Sequence, residues 1–294
     1  MDWKTKRVTA ILEQALIEDH ATNDATTKLT LDPKLSASAA IVAKQDCILA
    51  GWGAIPRVLE IFRKLDQTST QRFEVVHHPE MFDGVRVRKG QAIAVIRGNA
   101  RTILACERVT LNVLQRMCGI ATETRKYVDA VAGTGVVILD TRKTAPGLRL
   151  LDKYAVSCGG GQNHRMDLTD GVLIKNNHIS LGGGVAKVLA LAMQRRLPGQ
   201  KIQIEIRSLQ EIEEALAGGA DSLLLDNMTP AEAKQAVAIA RKQIPKIPIE
   251  VSGGIMLETV RKYAQTGVTY ISVGALTHSV SAIDLSMKIT AEIF

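Results

Sequence analysis

The spacing of apolar positions changes character twice along the chain. Residues 5–18 place Val8, Ile11, Leu12, Ala15 and Leu16 on one face of a helix. The polar stretch EDHATNDATT (18–27) reads as a loop. Between 37 and 100 the texture is strand-like: SAAIVAKQDCILAG, RFEVVHH and QAIAVIRGNA, with turns at Asp83-Gly84 and Lys89-Gly90. One helix, IPRVLEIFRKL (55–65), lies among them. A long helical stretch begins near Ala100, with an interruption expected at Cys118-Gly119.

Beyond that helix, short apolar runs alternate with helical segments. The runs are VVILD (136–140), GVLIK (171–175), IQIEI (202–206), SLLLD (222–226), IPIEVSGG (247–254) and YISVGAL (270–276). They are apolar throughout instead of alternating, as strands buried on both faces of a parallel sheet are. The βα repeat is roughly 20–25 residues. A closed eight-stranded barrel takes about 250 residues, more than this segment has. The expected fold class is therefore α/β: an incomplete α/β barrel of fewer than eight strands over 113–276. An N-terminal α+β sandwich domain (1–112) precedes it, and a C-terminal helix (277–294) is expected to pack back on that domain.

Catalytic groups of such barrels sit at the C-terminal ends of the strands. Those ends carry Asp140, Thr141, Arg142 and Lys143; then Lys175; Glu205 with Arg207; Asp226; Ser252, Gly253 and Gly254; and Gly274 with Ala275. The two small-residue loops precede helices, where backbone N–H groups suit phosphate. Glu205 and Asp226 suit Mg²⁺, which takes carboxylates together with substrate phosphates. Glu205 lies inside an apolar run, where a carboxylate is costly without a partner. His164 and Arg165 follow the glycine-rich SCGGGQN. Arginine's planar fork matches a carboxylate, and several arginines with a histidine point to more than one carboxylate on the substrate. His178 and His278 are read as structural, as strand-end or cap hydrogen bonds.

Composition narrows the partners. The chain of 294 residues carries a net charge of +7, but its aromatics are only 3%, too few for single-strand stacking platforms. Its cations fall at strand ends and not along one exposed stripe, which argues against nucleic acid. No apolar stretch reaches the ~18 residues of a membrane span, and the charged N-terminus has no signal-peptide core. Cys47, Cys106, Cys118 and Cys158 form no C-x-x-C pair. They read as reduced thiols of a cytoplasmic protein.

CERVTLNVLQRMCGIAT, KTAPGLRLLDKYAV, GGGQNHR, LIKNNHI, LLLDNM, EVSGGI and ISVGALTHS, in this order, resemble the quinolinate phosphoribosyltransferase family over nearly the whole chain. The resemblance implies transfer of phosphoribosyl from phosphoribosyl pyrophosphate to quinolinate with decarboxylation, with Mg²⁺, in NAD biosynthesis. It implies a homodimer or a multiple of it, with Arg108 donated across the interface. Thr141, Arg142, Lys143, His164, Arg165 and Lys175 would bind substrate. Glu205 and Asp226 would contact ribose hydroxyls and, through pyrophosphate, the metal. Glu205, Asp226 and Lys143 are the expected catalytic groups. Ser252–Gly254 and Val273–Ala275 would hold the 5′-phosphate. Asp167, Gln203, Arg207 and Cys118 depart from the family pattern, Gln203 and Arg207 standing where acids are usual. The alternative is a paralogous phosphoribosyltransferase acting on nicotinate or another carboxylated heterocycle.

Overall fold

The computed structural model describes residues 1–66 and 72–291, and its contacts divide the chain into two units. The first comprises Met1–Arg125, Thr144–Gly160 and the chain from Ser279; the second comprises Lys126–Lys143 and Gly161–His278. In chain order the elements begin α1 (Lys6–Glu18), α2 (Ala25–Thr30), β1 (Ser36–Ala43), β2 (Cys47–Ile48), α3 (Ala54–Leu65), β3 (Glu74–Val76), β4 (Arg86–Val87) and β5 (Ala92–Asn99). Helix α4 (Ala100–Ala130) carries the chain onward to β6 (Val137–Leu139), and α5 (Arg149–Cys158) belongs to the first unit. Then follow β7 (Val172–Ile174), α6 (Asn176–Gly182), α7 (Val185–Arg195), β8 (Ile202–Ile206), α8 (Leu209–Ala217), β9 (Ser222–Asp226), α9 (Pro230–Gln243), β10 (Ile249–Ser252), α10 (Leu257–Ala264), β11 (Tyr270–Ser272) and α11 (Ala275–His278). β12 (Leu285–Ala291) returns to the first unit.

The first unit is built on an antiparallel sheet ordered β12-β1-β5-β3. β1 buries Ala37, Ala39, Ile41 and Ala43, the period of two that a half-covered strand requires. Helix α3 buries Ile55, Val58, Leu59 and Phe62, one face at helical spacing. Full burial of each large aliphatic side chain is worth about 1.5–3 kcal/mol.

Three expectations are corrected here. The C-terminal segment is a strand, not a helix: Leu285, Met287 and Ile289 repeat with period two toward the core and pair with the edge of β1. Residues 292–294 of the expected helix lie outside the described residues. The stretch expected to be a loop ends in α2, because the Asp24 carboxylate accepts the N–H of Thr27 at 3.0 Å and caps it. And α4 is continuous through Cys118-Gly119. The expected boundary at 112/113 falls within this unbroken helix, whereas the contact division falls after Arg125.

The second unit is a parallel sheet of six strands ordered β6-β11-β10-β9-β8-β7. The first strand pairs with the last, Ile138 opposite Ile271, so the strand order closes on that side. Between β6 and β7 a single bridge, Leu139 to Gln162, takes the place of a strand. Ile204, Ile206, Leu223, Leu225, Ile249, Val251 and Ile271 are all fully buried, which is why these runs read as continuous and not alternating. Thr229 and Glu232 form a capping box with Pro230 at the first turn, so β9 ends abruptly and α9 starts four residues later.

Gly119 lies inside α4 for a packing reason. A β-carbon there would stand 2.3 Å from the Ser281 carbonyl oxygen and 3.2 Å from Val280 Cγ1. Gly119→Ala is expected to lose about 1–3 kcal/mol despite alanine's better helix propensity, read as a lower midpoint in urea unfolding. An unchanged or raised midpoint would show that the 280–281 segment yields freely.

Candidate active site

The second unit's strand ends surround a cavity of about 490 Å³. Arg142, Lys143, Arg165 and Lys175 line it with His164; Glu205, Asp226 and Glu250 line it with Thr141, Asn227, Ser252, Gly253, Gly254 and Ser272. Of the fourteen expected site residues in this unit, eleven line this cavity: Thr141, Arg142, Lys143, His164, Arg165, Lys175, Glu205, Asp226, Ser252, Gly253 and Gly254. Val273, Gly274 and Ala275 do not line it. Gly274 instead backs Lys143: a β-carbon at 274 would stand 3.0 Å from Lys143 Cδ. Arg108 belongs to the first unit, where it is exposed and lines a cavity of about 380 Å³ with Glu18, Asp19, Asn112 and Arg116.

Each charged group has a local cause for its position. Asp140, wholly buried at the end of β6, accepts the main-chain N–H of His164 at 2.8 Å and the Asn163 side-chain amide at 2.6 Å. This carboxylate folds the glycine-rich segment back across β6, and with it delivers His164 and Arg165. The Lys143 carbonyl accepts the Thr277 hydroxyl at 2.9 Å, which ties the cationic loop after β6 to α11. Burial, then the nearby Arg142, pulls the Arg165 pKa below the ordinary arginine value, with Asp170 opposing; the guanidinium stays charged. Two guanidiniums that crowd each other in this way are ready for an anionic partner.

Two strand-end asparagines that the sequence reading left without a role contribute here. Asn176, first in α6, donates its main-chain N–H to Glu205 at 2.9 Å and its side-chain amide to Asp226 at 3.5 Å. Its Oδ1 is buried and has no hydrogen-bond partner among the described residues. Asn227, just past β9, adopts a left-handed φ of 55°. Its Oδ1 would stand 2.2 Å from a β-carbon on Gly253, whose own φ is 94°. The doubled NN at 176–177 and the DN at 226–227 were the available signals, since asparagine is the residue that tolerates such backbone and binds locally.

Glu205 is only 8% exposed and faces Asp226. Burial first, then the Asp226 carboxylate, pushes its pKa above the ordinary 4.5, against the Asn176 N–H and Lys175. Two facing carboxylates beside an unpartnered amide oxygen are a hard-oxygen set of the kind a divalent cation accepts. The residues present therefore fit Mg²⁺.

These features define a barrel enzyme for substrates that carry several negative charges. Similarity to known proteins narrows the class. The family model described as quinolinate phosphoribosyl transferase, N-terminal domain, matches residues 24–118, and that of the C-terminal domain matches 120–288. The mitochondrial quinolinate phosphoribosyltransferase (decarboxylating) 2 of Nicotiana glauca is 42% identical over 303 residues, spanning 96% of this chain and 82% of the plant protein. The chloroplastic nicotinate-nucleotide pyrophosphorylase (carboxylating) of Arabidopsis thaliana is 40% identical over 97% of this chain and 83% of its own length. The crystal structure of NadC from Streptococcus pyogenes superposes with a TM-score of 0.90 at 36% identity, covering 100% of both chains. The chain belongs to the quinolinate phosphoribosyltransferase family.

A carboxylate whose folded pKa is raised holds its proton longer in the native state than in the unfolded chain. Glu205 therefore detracts from stability once the pH has risen past 4.5, and this cost vanishes where both states are protonated. Glu205→Gln is expected to melt above the parent protein near pH 7, with the gap closing toward about pH 4, while turnover is lost. A lower melting temperature near neutrality would contradict this.

Proposed function

We propose that the chain transfers the phosphoribosyl group of phosphoribosyl pyrophosphate to quinolinate, giving nicotinate mononucleotide, pyrophosphate and CO₂ as a step of NAD biosynthesis. The observation that carries this is the crowding of four cations, Arg142, Lys143, Arg165 and Lys175, on one cavity that also holds two facing carboxylates. A dicarboxylate needs the first set and a developing ribosyl cation the second. Arg142, Arg165 and Lys175 hold the carboxylates of quinolinate; Lys143 and Lys175 flank the phosphoribosyl donor, with Thr141 beside them. Ser252, Gly253 and Gly254 present backbone N–H groups to the 5′-phosphate, and Gly274 on the neighbouring strand end backs Lys143.

The chemistry follows from charge. The pyridine nitrogen forms a bond to ribose C1 as the C1–oxygen bond to pyrophosphate breaks. Positive charge grows on the sugar, and Glu205 and Asp226 stabilise it. Once the ring nitrogen is a pyridinium, it draws the electron pair of the bond between C2 and its carboxylate. CO₂ leaves and a proton replaces it at C2. No protein nucleophile is required. Glu205 and Asp226 would hold Mg²⁺, which would supply charge neutralisation for the departing group.

The working form is a homodimer or a multiple of it, in which Arg108 is donated across the interface. Its exposed position in the first unit, within a cavity of about 380 Å³, supports this reading. The cytoplasm is the proposed location. Four free cysteines, three of them buried, fit a reducing compartment.

Incubation with quinolinate, phosphoribosyl pyrophosphate and Mg²⁺ is expected to release nicotinate mononucleotide and CO₂, and nicotinate in place of quinolinate is expected to give none. Turnover of nicotinate alone would favour a paralogous role. The interface is tested separately. Arg108→Ala and Lys143→Ala are each expected to be inactive. Mixed after dissociation, they are expected to regain about a quarter of wild-type activity, since one site in each mixed dimer is intact. No recovery in demonstrably mixed dimers would remove Arg108 from the shared site.

A further inference from the structure

Glu250 takes no part in the scheme above, yet it is the most engaged buried carboxylate of the second unit's cavity. It lies on β10 and is 3% exposed. Gln203 on β8 donates its amide to Glu250 Oε2 at 2.7 Å, and the Ser272 hydroxyl on β11 donates to Oε1. His164 Nε2 faces the same Oε2 at 3.3 Å. Two strands and the returning glycine-rich segment thus converge on one carboxylate. Burial pushes its pKa up, but the hydrogen bonds from His164, Ser272 and Gln203 hold it below the ordinary range.

The second nitrogen of His164 is also engaged. Nδ1 accepts the main-chain N–H of Arg165 at 2.8 Å. A ring nitrogen that accepts carries no proton, so the ring proton sits on Nε2 and points at Glu250. The imidazole is therefore a spacer between a buried carboxylate and the backbone of the neighbouring arginine. A second cavity of about 460 Å³ shares Glu250, His164 and Arg165 with the first and is also lined by Gln203 and Tyr270. The network is the wall between the two.

We infer that Glu250 is a positioning residue of the active site, fixing the tautomer and orientation of His164 and, through it, the main chain that aims Arg165. On this account His164 serves the site by holding Arg165 as well as by lining the cavity itself. Gln203 then has a reason to depart from the family's acid. An amide donates to Glu250, whereas a second carboxylate there would repel it. The inference rests on Arg165 holding a carboxylate of quinolinate.

Glu250→Gln tests it, because the new amide turns donors toward a ring of donors with little change of shape. The KM for quinolinate is expected to rise about tenfold, the equivalent of one lost buried hydrogen bond, with the KM for phosphoribosyl pyrophosphate within about twofold. In ¹⁵N-detected spectra the His164 ring, assigned by loss of its signal in His164→Gln, is expected to pass from the Nε2–H form to a mixture of tautomers. Equal changes in both KM values, no change in either, or an unchanged tautomer would overturn the proposal. Should Glu250→Gln fail to fold, Ser272→Ala removes one donor and leaves the carboxylate. A selective rise in the quinolinate KM then supports the inference, and an unchanged value overturns it. A wild-type protein that does not turn over quinolinate would sink the substrate reading, while the tautomer measurement still judges Glu250.

Discussion

The pairing of the first barrel strand with the last is the constraint on which the site depends. Tyr270, Ile271 and Ser272 of β11 lie in parallel register with Val137, Ile138 and Leu139 of β6. Without it the parallel sheet would have two free edges and its strand ends would fan out. With it, the cations that follow β6 come into reach of the acids at the ends of β8 and β9. The open side of the ring, between β6 and β7, is held by the Gln162 bridge alone. Gln162 donates its main-chain N–H to the Ile138 carbonyl and accepts the N–H of Asp140, and the Asp140 carboxylate then fixes Asn163 and His164. The missing strands are thus replaced by a loop that carries functional groups.

Crowding charge in this way opposes folding. Burial and the nearby Arg142 lower the tendency of Arg165 to be charged, and burial and the Asp226 carboxylate do the same to Glu205 with opposite sign. Stability is supplied elsewhere, by the fully buried aliphatics of β8 to β11. This division between an apolar wall and a strained rim is what allows one site to hold both a dicarboxylate and a ribosyl cation.

Much of the barrel was legible in the sequence because its strands are buried on both faces. Runs such as IQIEI and SLLLD cannot be surface strands, and their last residues had to be the rim. The C-terminal segment was misread because LTHSVSAIDLSMKITA also contains apolar residues at helical intervals; only the free edge of β1 decides in favour of the period of two. Gly119 looked like a helix break because close approach by Ser281 leaves no trace in local spacing. The roles of Asn176 and Asn227 were not legible for the same reason. Their importance lies in backbone conformation and in a contact across 29 residues, from Asn176 to Glu205.

The substitution at position 203 shows how far such reasoning reaches. In the sequence it is a missing acid, and its natural interpretation is a change in substrate or metal preference. In the fold, Gln203 does not line the substrate cavity; it lies beneath it, against Glu250. Gln203 and Glu205, two residues apart on β8, point to the same face at different depths, so the two positions address different problems. Glu205 faces the chemistry, and Gln203 supports the buried carboxylate behind it. An amide in that place satisfies one lone pair of Glu250 without adding charge to an interior that already contains it.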